Sequence, residues 1–417
     1  MNNAARPARW FGGVAIALAG ALLVASCGGG GNATTTGAQS SATAQASQQA
    51  QTPSTGAHGG HGGTFSAPPA APLRESERFV EVKLAEPYKP AAPNGGTDEY
   101  RCFIVDPGLT EQAFLTGSQF FPQNTSLVHH AIIFRVDPDK VQQAQDLDAK
   151  TPGEGWTCFG NSGVDGGGWV GHWAPGANET LLKQKVGYPL QPGSKLVMQI
   201  HYNLLASGGK ADQSDQSSMR LRLTDGKAEL KPLATGLLQA PIELPCTSQE
   251  SGPLCDRDTA VKDVVSRFGT DSGENVAQLA QYCGQGKPLT PGPTQHCDSK
   301  FEGKATIYAT AGHMHLLGRA IKVEMNPGTP KAKTLLDIPS YDFDDQQIRP
   351  LPEPVTVKPG DNLRVTCTHD AGLRKTLPAL QGLPARYVVW GEGTSDEMCL
   401  GLLVMSPEGR QRAGAGG

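Results

Sequence analysis

From about residue 76 onward the chain is written in short β-type runs, several of which alternate apolar and polar residues. They are RFVEVKL, YRCFIVD, LVHHAIIFRV, KLVMQIHYNL and SMRLRLT, then KATIYATAGHMHL, RAIKVEM, VTVKPGDNLRVTCTH, ARYVVWGEG and CLGLLVMS. Gly, Pro, Asn and Asp punctuate them, and KPGD is a hairpin signal. Residues two apart share one face of a strand, so such runs specify half-buried antiparallel sheets and not helices. The 52 glycines, 32 prolines and 18% charged residues suit a loop-rich β protein. A chain of 417 residues is long enough for two cores. The expectation is an all-β fold of two tandem antiparallel β-sandwiches, over 76–228 and 229–410. No short fixed repeat is present, which excludes a solenoid.

One stretch departs from that period. Residues 246–297 carry Cys246, Cys255, Cys283 and Cys297, and between them Val261, Val264, Val265 and Phe268, then Val276, Leu279 and Ala280, recur at helical spacing. This predicts a disulfide-stapled helical insertion in the second sandwich.

The first 27 residues read as an export signal. Arg6 and Arg9 precede an apolar stretch from Trp10 to Val24, too short for a membrane-spanning helix. Leu23-Val24-Ala25-Ser26-Cys27 then resembles a bacterial lipobox, which would make Cys27 a lipidated N-terminus and membrane anchor. Gly28 follows it and not Asp, which in a Gram-negative cell would favour the outer membrane. The expected location is therefore the periplasmic face of that membrane or the cell surface. Residues 28–75 are rich in Gly, Ala, Ser, Thr, Gln and Pro and predict a flexible tether, in which His58 and His61 are solvated. Without Cys27, eight cysteines are left, an even number that in an exported protein suggests up to four disulfides of open pairing. A formal net charge of -4 implies no attraction to nucleic acid.

The histidines carry the chemistry. His129 and His130 are adjacent inside an apolar strand run, where regular alternation would send them to opposite faces; only a bulge or ring rotation could join them on one ion. His201 shares a face with Val197 and Gln199, away from Leu196, Met198 and Ile200. His313 and His315 are two apart, so in a strand their rings point the same way about 6–7 Å apart. Met398 lies beside Asp396, Glu397 and Cys399, as if in a surface turn anchored by a disulfide. Imidazole suits copper, and a thioether selects Cu(I) over hard cations. HExxH, GxSxG, a P-loop and GxGxxG with its acidic partner are all missing from the sequence, which argues against zinc hydrolases and nucleotide enzymes. His172, between two tryptophans in GWVGHWAPG, reads as a packed loop histidine; His369 and His296 read as structural.

Together HHAIIF, MQIHYN, HMHLLGRAIKV and DEMC resemble, in order and interval, the motifs of the copper type II, ascorbate-dependent monooxygenases, over roughly residues 95–405. That family includes the peptidylglycine α-hydroxylating and dopamine β-hydroxylating enzymes. The resemblance implies two jelly-roll-like sandwiches with one copper on each. His129, His130 and His201 would hold an electron-donating copper, and His313, His315 and Met398 the copper that meets O2, across an open cleft. Gln199 would tune the electron path, and Cys367–Cys399 and Cys102–Cys158 would be disulfides. It implies hydroxylation of a C–H bond of a small molecule by O2, with ascorbate or another one-electron reductant. The chain departs from the peptide-amidating members: their carboxylate-binding arginine is Ala311 here, and their asparagine and tyrosine after DEMC are Leu400 and Leu402. A more apolar pocket follows, with Asp396 and Glu397 as candidate partners for an amine. The competing expectation is a non-catalytic copper carrier of the same fold.

Overall fold

The computed structural model describes residues 67–183 and 185–408. The expected signal with Cys27, and the tether as far as residue 66 with His58 and His61, lie outside the described residues. The described residues fall within one compact unit, Ala57–Gln411.

The period-2 runs become strands, and the fold is all-β. A six-stranded sheet runs Glu77–Lys83, Ser218–Asp225, Ala113–Phe121, Val186–Leu190 and Lys231–Pro232, with Thr180–Leu181 also pairing to Ala113–Phe121. A five-stranded sheet runs Trp156–Thr157, Asp98–Val105, Lys195–Asn203, Val128–Val136 and Gly168–Trp173. The two sheets share a core to which the first gives Val82, Leu115 and Leu221 and the second Phe103, Ile133 and Met198. Further along the chain, Ala234–Gln239, Leu400–Glu408, Lys304–His313 and Arg349–Val357 form one four-stranded sheet. Thr294–Lys300, Asn362–His369, Gly318–Met325 and Lys333–Ile338 form another. Ile307 and Leu403 of the one pack with Ile321 and Val365 of the other. Lys231–Pro232 pairs in parallel with Val186–Gly187, so the first group of sheets reaches past residue 228.

The five-stranded sheet is covered on both faces, and this positions the site. Leu196, Met198 and Ile200 enter the sandwich core. On the opposite face Val197, with Ile132 and Phe134, packs under Trp156 and the helix Val141–Ala149, which contributes the buried Ala144. Farther along this outer face the apolar cover ends and the polar residues Gln199 and His201 begin, both fully buried.

The insertion forms two helices, Arg257–Phe268 and Thr270–Gly284. Asp256 caps the first by accepting the Thr259 amide at 2.9 Å. Cys246–Cys255 and Cys283–Cys297 staple its ends, while Cys102–Cys158 and Cys367–Cys399 join strands to loops. No helix among the described residues is long and apolar enough to cross a membrane.

The tether was expected to reach residue 75, but its last residues are bound. Arg222 is completely buried and needs acceptors. It finds the carboxylates of Glu77 and Glu179 and the carbonyls of Ala71 and Pro72, while Gln119 holds the Pro68 carbonyl.

Candidate metal centre

Two strands of the five-stranded sheet build the first station. The pairing steps from Val128–Tyr202 to His130–His201, leaving His129 as an extra residue in a bulge. That bulge cancels the alternation that would have separated His129 from His130. The His130 Nδ1 lies 3.1 Å from His129 Nδ1 and 3.4 Å from His201 Nδ1, and one nitrogen of each ring lies within 4.8 Å of the others. With imidazole–metal bonds of about 2.0–2.1 Å, two nitrogens on one ion stand roughly 3–4 Å apart. The three buried rings therefore fit a single ion.

The surroundings fix which nitrogen faces inward. His201 Nε2 lies 2.9 Å from Asp98 Oδ1, and the same oxygen accepts the Thr394 amide at 3.0 Å. A carboxylate at Nε2 keeps the proton there and the lone pair on Nδ1. Burial by itself would raise the Asp98 pKa; the bonds from His201 and Thr394 outweigh it and hold the carboxyl below its ordinary value. Tyr100 stacks on His201 at 4.1 Å and Phe343 on His129 at 4.1 Å. Burial pushes His130 well below the ordinary histidine range, helped by the neighbouring histidines, and lowers His201 against the pull of Asp98. Both shifts favour the neutral imidazole of His130 and His201, the form that can donate a lone pair to a metal. Asp98→Asn should lower copper affinity at this station by roughly 10–100-fold, read by competition with a chromophoric chelator; unchanged affinity would mean Asp98 only braces the fold.

The second station sits at a strand end. The strand Lys304–His313 stops at His313, so His315 is placed by the turn that follows and not by strand alternation. Their rings are 5.1 Å apart and nearly perpendicular. Gly318 permits this turn: a Cβ there would meet Met314 Cβ at 2.8 Å and the His315 carbonyl at 3.1 Å. His313 Nδ1 is held by the Gln346 carbonyl oxygen and His315 Nδ1 by the Asp396 carbonyl at 3.2 Å. Both rings thus direct Nε2 elsewhere, and His315 Nε2 is buried without a partner. Burial pushes His313 well below the ordinary histidine range. Met398 and His313 line the same cavity. The donors present, two imidazoles and a thioether, suit Cu(I).

Two expectations about the DEMC segment are overturned. It is not a surface turn: Asp396, Glu397, Met398 and Cys399 are all buried. Nor do its acids await an amine. Asp396 is taken by Arg267 at 2.7 and 2.8 Å and by Arg386 at 3.2 Å. Glu397 accepts the His315 amide at 3.0 Å and the Leu317 amide at 2.6 Å, with His369 at 3.2 Å. These carboxylates position the second station, and the helical insertion supplies one of the arginines.

Nor does a wide cleft separate the nearest rings of the two stations. His130 and His313 rings lie 5.4 Å apart, and both line one cavity of about 500 Å3. Phe159, Trp169, Phe268, Leu400 and Leu402 give it apolar walls. Gln199 borders it too, with its Nε2 donating to the Cys158 carbonyl at 3.1 Å. Ala311 is in the core, paired with Leu402. His172 is on the strand Gly168–Trp173, not in a loop, and lines the cavity; burial lowers its pKa to about 4.

Glu392 carries no signal in the sequence, where WGEG looks like an ordinary turn. It is a buried acid lining the cavity, with Oε2 unpartnered. Burial, then the charge of Asp396, raises its pKa to about 7. Between pH 4.5 and 7 the folded chain holds this proton and the unfolded chain does not, so stability falls as pH rises through that window. Relative to Glu392→Gln, the wild type should lose on the order of 3 kcal/mol between pH 4.5 and 7. Denaturant titrations of both at each pH measure this; parallel stability curves would exclude a buried proton.

Residues 292–409 match the family model "Copper type II ascorbate-dependent monooxygenase, C-terminal domain". A human DBH-like monooxygenase protein 2 is 36% identical over 103 residues, 24% of this chain and 18% of that protein. DBH-like monooxygenase protein 1 of Gallus gallus is 32% identical over 101 residues, 24% of this chain and 15% of that protein. The chain thus spans less than a fifth of these relatives' length. Among solved structures, PNGase F from Flavobacterium meningosepticum covers 79% of this chain and 96% of its own at 9% identity and a TM-score of 0.26, too low to carry an argument.

Proposed function

The chain belongs to the copper type II, ascorbate-dependent monooxygenase family, and on that premise we propose that it hydroxylates a C–H bond of a small, rather apolar molecule with O2, using two mononuclear coppers. The observation that carries this is one shared cavity bordered by His130 of a three-imidazole cluster and by His313 and Met398 of a second. The overall change is R–H + O2 + 2 electrons + 2 protons giving R–OH + H2O, the electrons coming from ascorbate or another one-electron reductant.

When bound, copper would supply the one-electron chemistry with O2; the chain's own residues do the rest. His129, His130 and His201 would hold one ion through Nδ1, with Asp98 and Tyr100 fixing the ring of His201. His313, His315 and Met398 would hold the other, with Gln346, the Asp396 carbonyl and Glu397 fixing the two histidines. Leu400, Leu402 and Phe268 would exclude water and seat the apolar part of the substrate. Glu392 is the one buried ionisable acid on the wall and would meet its polar end.

Copper per chain in the purified protein, loaded with Cu(II) and dialysed, tests this reading together with reductant-dependent O2 uptake. Two coppers with uptake support it. Copper without uptake on any small-molecule panel would favour the carrier, and no retained copper would sink both. We also propose that Cys27 carries lipid and anchors the chain to a membrane; lipid labelling should vanish in Cys27→Ser, and label retained there would refute the anchor.

A further inference from the structure

Among the described residues, the cavity is lined by three whose side chains carry a buried polar atom with no hydrogen-bond partner: Gln199 Oε1, Trp390 Nε1 and Glu392 Oε2. Such atoms are costly, and a wall that served only to exclude water would not carry them. Gln199 sits on the sheet, anchored through Nε2 to the Cys158 carbonyl. The other two belong together. Trp390 and Glu392 are two residues apart and only 3% and 7% exposed. Their side chains stand close enough for the indole to oppose the rise in the pKa of the acid, yet neither atom closes a hydrogen bond.

The segment that carries them is fixed. Trp390 forms a β-bridge with Glu397, and the Gly391 amide donates to the Glu397 carbonyl at 3.1 Å. The Gly393 amide donates to Asp396 Oδ2 at 3.2 Å, and the Tyr100 hydroxyl donates to the Glu392 carbonyl at 3.0 Å. Gly391 permits this packing, since a Cβ there would meet the Asp396 Cβ at 2.8 Å. The indole N–H and the carboxyl are thus held in a preset geometry on the wall. Phe159, Trp169 and Phe268 give the same cavity flat apolar surface.

An indole N–H can only donate, whereas a carboxylate accepts and its acid form also donates. A hydroxyl satisfies both groups whichever form Glu392 takes, because its oxygen accepts from Trp390 and its proton or its second lone pair serves the acid. A carbonyl serves the acid form alone. An ammonium has no lone pair for the indole, and a hydrocarbon leaves both groups unpaired.

We infer that Trp390 and Glu392 determine specificity, selecting an uncharged, hydroxyl-bearing apolar molecule, an alcohol or a phenol, as the occupant of this cavity. This rests on the proposed function, in which the cavity seats the substrate.

The test measures binding by calorimetry to the full chain, copper-free and copper-loaded, with three probes of like size: benzyl alcohol, ethylbenzene and benzylammonium. The alcohol should bind about tenfold or more tighter than either of the others. Trp390→Phe and Glu392→Leu should each erase most of that preference and leave ethylbenzene unchanged. Glu392→Gln, whose amide both donates and accepts, should keep it. If one variant fails to fold, the other and the comparison of probes on wild type still decide. Equal binding of alcohol and hydrocarbon, tighter binding of the ammonium, or a preference that survives in every folded variant overturns the inference. Binding of none of the three overturns it as well. Reductant-dependent O2 uptake is read separately. A preference for the alcohol without uptake upholds the selection and sinks the proposed reaction, whereas uptake without the preference leaves the reaction standing and removes the selection.

Discussion

Met398→Leu should abolish turnover while leaving the protein folded and one copper in place. Leucine conserves the volume of a side chain that is only 6% exposed, so the packing cost should be under about 1.5 kcal/mol. What is lost is the sulfur, the one donor in the proposed second station that favours Cu(I). Losing a partner outside the ligand set costs metal sites 10–100-fold, so losing a ligand should lower reductant-dependent O2 uptake by at least ~100-fold. Copper should fall from two per chain to about one under reducing conditions. The three-imidazole cluster shares no ligand with Met398, so the remaining copper should disappear only when His201 is also replaced. Uptake unchanged in Met398→Leu would remove the second station from the chemistry.

The sequence announced the strands and the histidines because both are local signals. Period-2 runs report a half-buried sheet wherever they occur, and Cys246–Cys255 and Cys283–Cys297 bracket a helical period that stands out against them. The bulge at His129 could only be posed as a condition, since it depends on the register with the strand Lys195–Asn203. AGHMHLL continues the apolar run and so reads as strand through His315, whereas the strand ends at His313 and Glu397 holds the His315 and Leu317 amides in the turn that follows.

What stayed hidden was long-range and polar. Asp98 and Thr394 are 296 positions apart, and nothing in GTDEY or GEGTSDEMC signals that one braces His201 through the other. For the same reason Asp396 and Glu397 looked exposed. Two acids beside a methionine read as surface until Arg267 of the inserted helix and Arg386, ten residues upstream, are seen to hold Asp396, and the His315 and Leu317 amides to hold Glu397. The closeness of His130 and His313 belongs to the same class, because it depends on how the sheets of the two chain halves face each other and not on either motif.

The second large effect concerns the disulfide beside the methionine. Cys399 follows Met398 directly and is tied to Cys367 in the strand Asn362–His369, 32 residues away. Chain-entropy arguments put a loop of that length at about 3–4 kcal/mol of stabilisation. The bond also has a local consequence. Arg267 and Arg386 hold Asp396, Glu397 holds the turn of His315, and the disulfide fixes the far side of Met398, so the methionine is clamped from both directions. In Cys367→Ala/Cys399→Ala we therefore expect a Tm lower by several degrees and weaker copper at the Met398 station, with the His129, His130 and His201 cluster unaffected. Metal-resolved titration alongside calorimetry separates the two effects. A variant that loses stability but keeps both coppers at wild-type affinity would show that the arginine and glutamate contacts suffice to place Met398, and that Cys367–Cys399 serves the fold alone.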